Sequence, residues 1–123
     1  MSKHTIVLIP GDGIGPEVTR ATQRVLAAAG LDVEWVELPA GVTALDQGYD
    51  NVLPARTVAA IQAHKVALKG PVTTPVGKGF KSVNVQLRQK LKLYAAVRPV
   101  RSLTGIKTRF ENCRIFDNFC HND

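Results

Sequence analysis

The stretch HTIVLIPGDGIGPEV, residues 4–18, constrains the fold more than any other part of this chain. Residues 4–10 form an apolar run bounded by Pro-Gly, which suits a strand buried on both faces, because such a strand need not alternate. The GDGIG glycines make a tight turn. Pro16 then suits a first helical turn, and Glu17 complements its positive end. Val18, Ala21, Thr22, Val25, Leu26 and Ala29 recur at helical spacing until Gly30 supplies a stop. LDVEWVELP, residues 31–39, alternates as a second strand with Leu31, Val33 and Trp35 on one side. A strand, a helix and a strand in this order make a parallel crossover, so an α/β fold is expected.

The same punctuation continues. Residues 40–53 read as a loop or short helix broken at Gly48 and Asn51. Pro54 opens a helix that runs through Val58, Ile61 and Gln62 to His64, and KVALKG (65–70) reads as another buried strand. VTTPVGKGF (72–80) is too rich in proline and glycine for a regular element and reads as a functional loop. Ser82 or Asn84 can cap a helix over 84–92, with Val85, Leu87, Leu91 and Leu93 as its apolar positions. A strand follows over 93–100. CRIFDNFCHND (113–123) shows neither period.

The whole chain, 123 residues, is one domain's worth. Its apolar runs fall short of the roughly 18 residues that a membrane span needs. The N-terminal run ends in Pro-Gly-Asp-Gly instead of a small-residue cleavage site, so a secretory signal is not expected. Both cysteines, Cys113 and Cys120, lie in the last eleven residues, and a disulfide framework for the body is excluded. A cytoplasmic protein is the default.

The first unit imitates a dinucleotide-binding crossover, with Glu37 about where a ribose-binding acid would stand. The imitation fails in detail. GDGIGPE is G-x-G-x-G followed by proline, and Pro16 removes an N–H donor that a phosphate would use. A tight turn and close packing are the better reading of these glycines.

Net charge is +6, and its distribution says more than its size: residues 51–110 hold twelve lysines and arginines and no acid. So long a positive stretch points to an anionic partner, either a polycarboxylate or phosphate ligand or a nucleic acid. GKGFKSVNVQLR, residues 77–88, concentrates the donors.

IPGDGIGPEV (9–18), VALKGPVTTPVGKGFKSVNVQLRQKLKLYAAVRPVRSL (66–103) and GIKTRFEN (105–112) together resemble the N-terminal part of the isocitrate/isopropylmalate dehydrogenase family. The resemblance implies that family's own α/β fold, with parallel strand–helix units and no Rossmann domain. Ser-x-Asn followed by Leu-Arg is similar to the isocitrate branch. By that resemblance Ser82 and Asn84 bind one substrate carboxylate, while Arg88 and Arg98 clamp the others. Arginine suits this role because its planar fork meets a carboxylate with two parallel bonds and keeps its charge. Thr74 resembles the family residue beside the nicotinamide, and Ser82 a position open to phosphorylation. Lys69 has no assigned role.

The family's reaction transfers a hydride to NAD or NADP and then decarboxylates a β-keto acid polarised by Mg²⁺ or Mn²⁺. In the family the metal-binding, proton-transfer and adenosine-binding segments lie beyond the part this chain resembles. No catalytic residue and no metal ligand is therefore assigned here, and whether the chain alone is an enzyme stays open. Cys113, Cys120 and His121 fit no zinc spacing. The expected organisation is a family segment over 1–112 and a non-family tail over 113–123. Its expected ligand is isocitrate, and its expected partner another copy or a complementing family chain. A non-catalytic regulatory subunit is the alternative. A nucleic-acid-binding domain is the weakest reading, because the family motif accounts for the basic residues.

Overall fold

The computed structural model of the chain describes residues 3–73, 75, 79, 81–101, 105–106 and 114–118. They fall in two compact units, residues 1–91 and 92–123, described separately below.

The first unit is built on strand β1 (His4–Ile9), the middle of a three-stranded sheet between β2 (Val33–Glu37) and β3 (Ala67–Lys69). Both pairings are parallel, with Leu8 opposite Glu37 on one side and Leu68 on the other. The central place explains the unbroken apolar run: Val7, Leu8 and Ile9 are at most 2% exposed. KVALKG, expected as a buried strand, is instead a three-residue strand with Ala67 exposed and Leu68 and Lys69 half-buried. Among the described residues it pairs with β1 alone, so its outer side lacks the cover that β1 has.

Helix α1 (Gly15–Ala28) starts at the glycine turn with Pro16 in its first turn. Its buried residues are Gly15 and Thr19, whereas Val18 and Val25 are 45% and 67% exposed. The helical period was legible, but the face that meets the sheet carries small residues because the backbone at Gly70 approaches there.

Helices α2 (Val42–Asp46) and α3 (Ala55–His64) follow β2, and α4 (Val83–Lys90) follows β3. The core gathers Val7 and Ile9 with Leu38, Val52, Leu53, Val58, Ile61 and Val83. Val52 and Leu53, from a segment without a helical or strand period, are among its most buried members. Asn51 turns the chain inward there, its side-chain oxygen accepting the Leu53 N–H at 3.0 Å. Helix α4 begins one residue before its expected start. Val83 is fully buried, while Val85 and Leu93, expected as apolar contacts, are 40% and 48% exposed.

In the second unit β4 (Val97–Arg101) pairs antiparallel with β5 (Arg114–Asn118), setting Arg98 opposite Asp117. The strand expected from residue 93 starts at 97, and the aperiodic tail contains a strand that the sequence did not demand. Among the described residues no helix is long and apolar enough to cross a membrane.

Candidate functional site

The carboxyl ends of β1 and β3 cross so closely that only hydrogen fits between the backbones. A Cβ on Gly11 would lie 1.7 Å from the Pro71 carbonyl oxygen, and one on Gly70 would lie 2.2 Å from that of Pro10. Gly11 also has φ +83°, where a side chain is strained. Two hydrogen bonds close the crossing, from Asp12 N–H to Pro71 O at 2.9 Å and from Gly70 N–H to Ile9 O at 2.8 Å. These two glycines are accounted for by chain packing, in line with the tight-turn reading of the motif. Beside them Lys69 donates to Gly70 O at 2.8 Å, and burial pushes its ammonium pKa down.

The acid between the glycines is a junction that the sequence reading left unassigned. Asp12 Oδ1 accepts the Thr43 N–H at 2.9 Å and the Thr43 hydroxyl, while Oδ2 accepts the N–H groups of Val42 at 3.1 Å and Thr73 at 2.7 Å. Partial burial raises the carboxyl pKa, but the Thr43 hydroxyl and the three N–H donors outweigh it, and the net shift is downward. The only sequence signal was a short acceptor side chain between two glycines.

Three of the four expected substrate ligands, Ser82, Asn84 and Arg88, stand at α4. Val83, Gln86 and Leu87 turn inward, leaving Ser82, Asn84 and Arg88 exposed. Asn84 and Arg88, four residues apart, lie on neighbouring turns of one face. Ser82 occupies the N-cap position without making a side-chain capping bond. The approach to the helix is held instead by Gln86, a buried residue that no motif or period singles out. Its Nε2 donates to Lys81 O at 2.9 Å. The Ser82 hydroxyl thus stands at the positive end of the helix dipole, uncommitted to capping.

Arg98 is exposed on β4, in the second unit, while Thr74, Lys78, Cys113, Cys120 and His121 lie outside the described residues. A cleft of about 370 Å³ opens at the carboxyl ends of β1 and β2, lined by Pro10, Gly11, Pro16, Glu37 and Thr43 among others. A second hollow of about 340 Å³ flanks α4 beside Lys81 and Lys90. Neither is lined by Ser82, Asn84 or Arg88. Among the described residues no three His, Cys, Asp or Glu side chains converge to hold a metal ion.

The sequence profile of the family described as isocitrate/isopropylmalate dehydrogenase matches residues 5–119. The chain belongs to the isocitrate/isopropylmalate dehydrogenase family. The match runs past residue 112, where the sequence suggested a boundary. Isocitrate dehydrogenase [NADP] of Haloferax volcanii is 51% identical over 116 residues, which cover 91% of this chain and 27% of the relative. Isocitrate dehydrogenase [NAD] catalytic subunit 5, mitochondrial, of Arabidopsis thaliana is 44% identical, covering 88% and 29%. The crystal structure of isocitrate dehydrogenase from Methylococcus capsulatus superimposes with a TM-score of 0.82 at 45% identity, covering 94% of this chain and 34% of that one. The chain therefore spans under a third of the curated relatives named here. Its fold is the family's α/β fold.

Proposed function

We propose that this chain is the N-terminal part of an isocitrate dehydrogenase that converts isocitrate to 2-oxoglutarate with NAD or NADP, and that it carries half of the substrate pocket. The observation that carries this reading is the donor set on α4: Ser82, Asn84 and Arg88 are exposed while the opposite face is packed into the core. Arg88 can grip a substrate carboxylate with two parallel bonds, while Asn84 and Ser82 donate to an oxygen of another. Arg98 is proposed as the second clamp and Thr74 as the residue beside the nicotinamide.

The described residues offer no carboxylate cluster for Mg²⁺ or Mn²⁺, so none of them is assigned to the metal. When bound, such an ion would polarise the keto acid for decarboxylation. Proton transfer and adenosine binding are likewise assigned to no residue of this chain. The chain alone is proposed to bind isocitrate without turning it over, and to work as a homo-oligomer or beside a complementing family chain. One relative is itself named as a catalytic subunit, which favours a chain that works beside others; a non-catalytic regulatory subunit is the second reading. The cytoplasm is the proposed compartment, because the two cysteines cluster outside the body of the chain.

Isothermal titration of the purified chain with isocitrate tests the reading. Binding is expected, and Arg88→Gln should weaken it about 10- to 100-fold, the worth of a hydrogen bond to a charged group. Absence of binding, or an affinity untouched by both Arg88→Gln and Arg98→Gln, would refute it. Incubation with isocitrate, Mn²⁺ and NAD should give no NADH above background, and clear turnover would overturn the assignment of catalysis to groups outside this chain.

A further inference from the structure

We propose that Asp12 is a positioning residue whose carboxylate ties the start of the 72–80 loop to the first turn of α2, presetting the path from the glycine crossing to the donors of α4. The proposal rests on the substrate-binding reading of α4 given above.

Four donors from two distant segments converge on one side chain. Thr43, through its N–H and its hydroxyl, and Val42 stand about thirty positions further along the sequence, and Thr73 stands 61 positions away. The seat is close on the α2 side. A Cβ on Gly41 would lie 2.3 Å from Oδ2, so the carboxylate rests against a residue that has no side chain.

The tie lies one residue beyond a core contact. Val72 packs against the core, but Thr73 is exposed. Beyond Val72 the chain is held by the Thr73 N–H bond to Asp12 at 2.7 Å. Nine residues further on stands Ser82, at the cap of α4. The bond fixes Thr73 at the entrance to the segment that leads to α4, and preorganisation of this kind raises affinity without a new contact.

Amide hydrogen exchange and isocitrate titration of the purified chain read the two halves of the proposal separately. In Asp12→Ala the Thr73 amide should exchange about tenfold faster or more, the loss of one charge-assisted bond, while Val7 and Ile9 keep wild-type protection. Isocitrate affinity should fall severalfold. Asp12→Asn should recover much of both. Its amide can place oxygen at the Oδ2 position, for Val42 and Thr73, and point its NH₂ at the Thr43 hydroxyl, which rotates to accept. A folded Asp12→Ala chain with wild-type exchange at Thr73 overturns the proposal, as does fast exchange with unchanged isocitrate affinity. Should Asp12→Ala fail to fold, Thr73→Pro deletes the same bond from the donor side, and unchanged affinity there overturns it equally. A wild-type chain that binds no isocitrate refutes the reading of α4, and the exchange comparison then decides the tie on its own.

Discussion

Replacing Gly11 by alanine should be among the most damaging single-methyl changes available to this chain, and Gly13→Ala is its control two residues away. Both glycines have positive φ, +83° and +57°. Each alanine therefore bears a strain of roughly 1–2 kcal/mol from the left-handed conformation alone. They differ in space. Nothing lies within 4 Å of a Cβ on Gly13, whereas one on Gly11 falls 1.7 Å from Pro71 O and 2.7 Å from Pro71 C. Ordinary contact would require the Pro71 backbone to retreat by more than an ångström. That movement breaks the bond from Asp12 N–H to Pro71 O and strains its neighbour from Gly70 N–H to Ile9 O. Each is worth about 1 kcal/mol net. Gly11→Ala is thus expected to lose about 3–4 kcal/mol and Gly13→Ala about 1–2 kcal/mol, against a stability of about 5–15 kcal/mol for a folded domain. Urea denaturation followed through Trp35, the single tryptophan and half-buried on β2, measures both. If the two variants unfold within about 1 kcal/mol of each other, steric exclusion at the crossing is not what selects glycine at position 11.

Other changes probe the remaining joints. Val83→Ala should cost about 2–3 kcal/mol, from two buried carbons and the cavity they leave, and Val85→Ala less than about 1 kcal/mol; equal losses in urea titrations would reject the observed register of α4. Lys65 ends α3 with φ +65°, so Lys65→Gly should raise the thermal midpoint, by roughly 0.5–1 kcal/mol of stability. Asp12 has a folded-state pKa below its unfolded value, so its contribution is present above the unfolded pKa and is lost as pH falls through the folded one. The stability gap between the wild type and Asp12→Ala should accordingly stay constant at neutral pH and shrink under acid, and a gap that widens on acidification would contradict the sign. For all of these, the variant must retain the far-ultraviolet circular dichroism of the parent.

The sequence reading was strongest where one local interaction decides the conformation. IVLI followed by Pro-Gly gave the central strand, Pro16 and Gly30 bracketed α1, and Pro54 and His64 bracketed α3. It was weakest where neighbours decide. Val18 and Val25 keep helical spacing yet face solvent, because the close approach at Gly70 admits only the small face of α1. Val52 and Leu53 are core residues although their segment shows no period, because α2 and the Asn51 turn direct them inward. The candidate site divides in the same way. Ser82, Asn84 and Arg88 were named through the resemblance of one short motif to the family, and the structure leaves all three exposed at one helix.

By itself, the sequence determined an α/β chain of parallel strand–helix units with a concentrated set of basic and amide donors over residues 77–88, and its long motifs pointed to the family. Tertiary structure alone decided which glycines are obligatory, which face of α1 is buried, and that Gln86 holds the approach to α4 while Ser82 stands free of capping. It alone made Asp12 a junction. A carboxylate between two glycines carries no record of the donors it will meet, and the 61 positions separating Asp12 from Thr73 are closed only when β1 and β3 lie side by side.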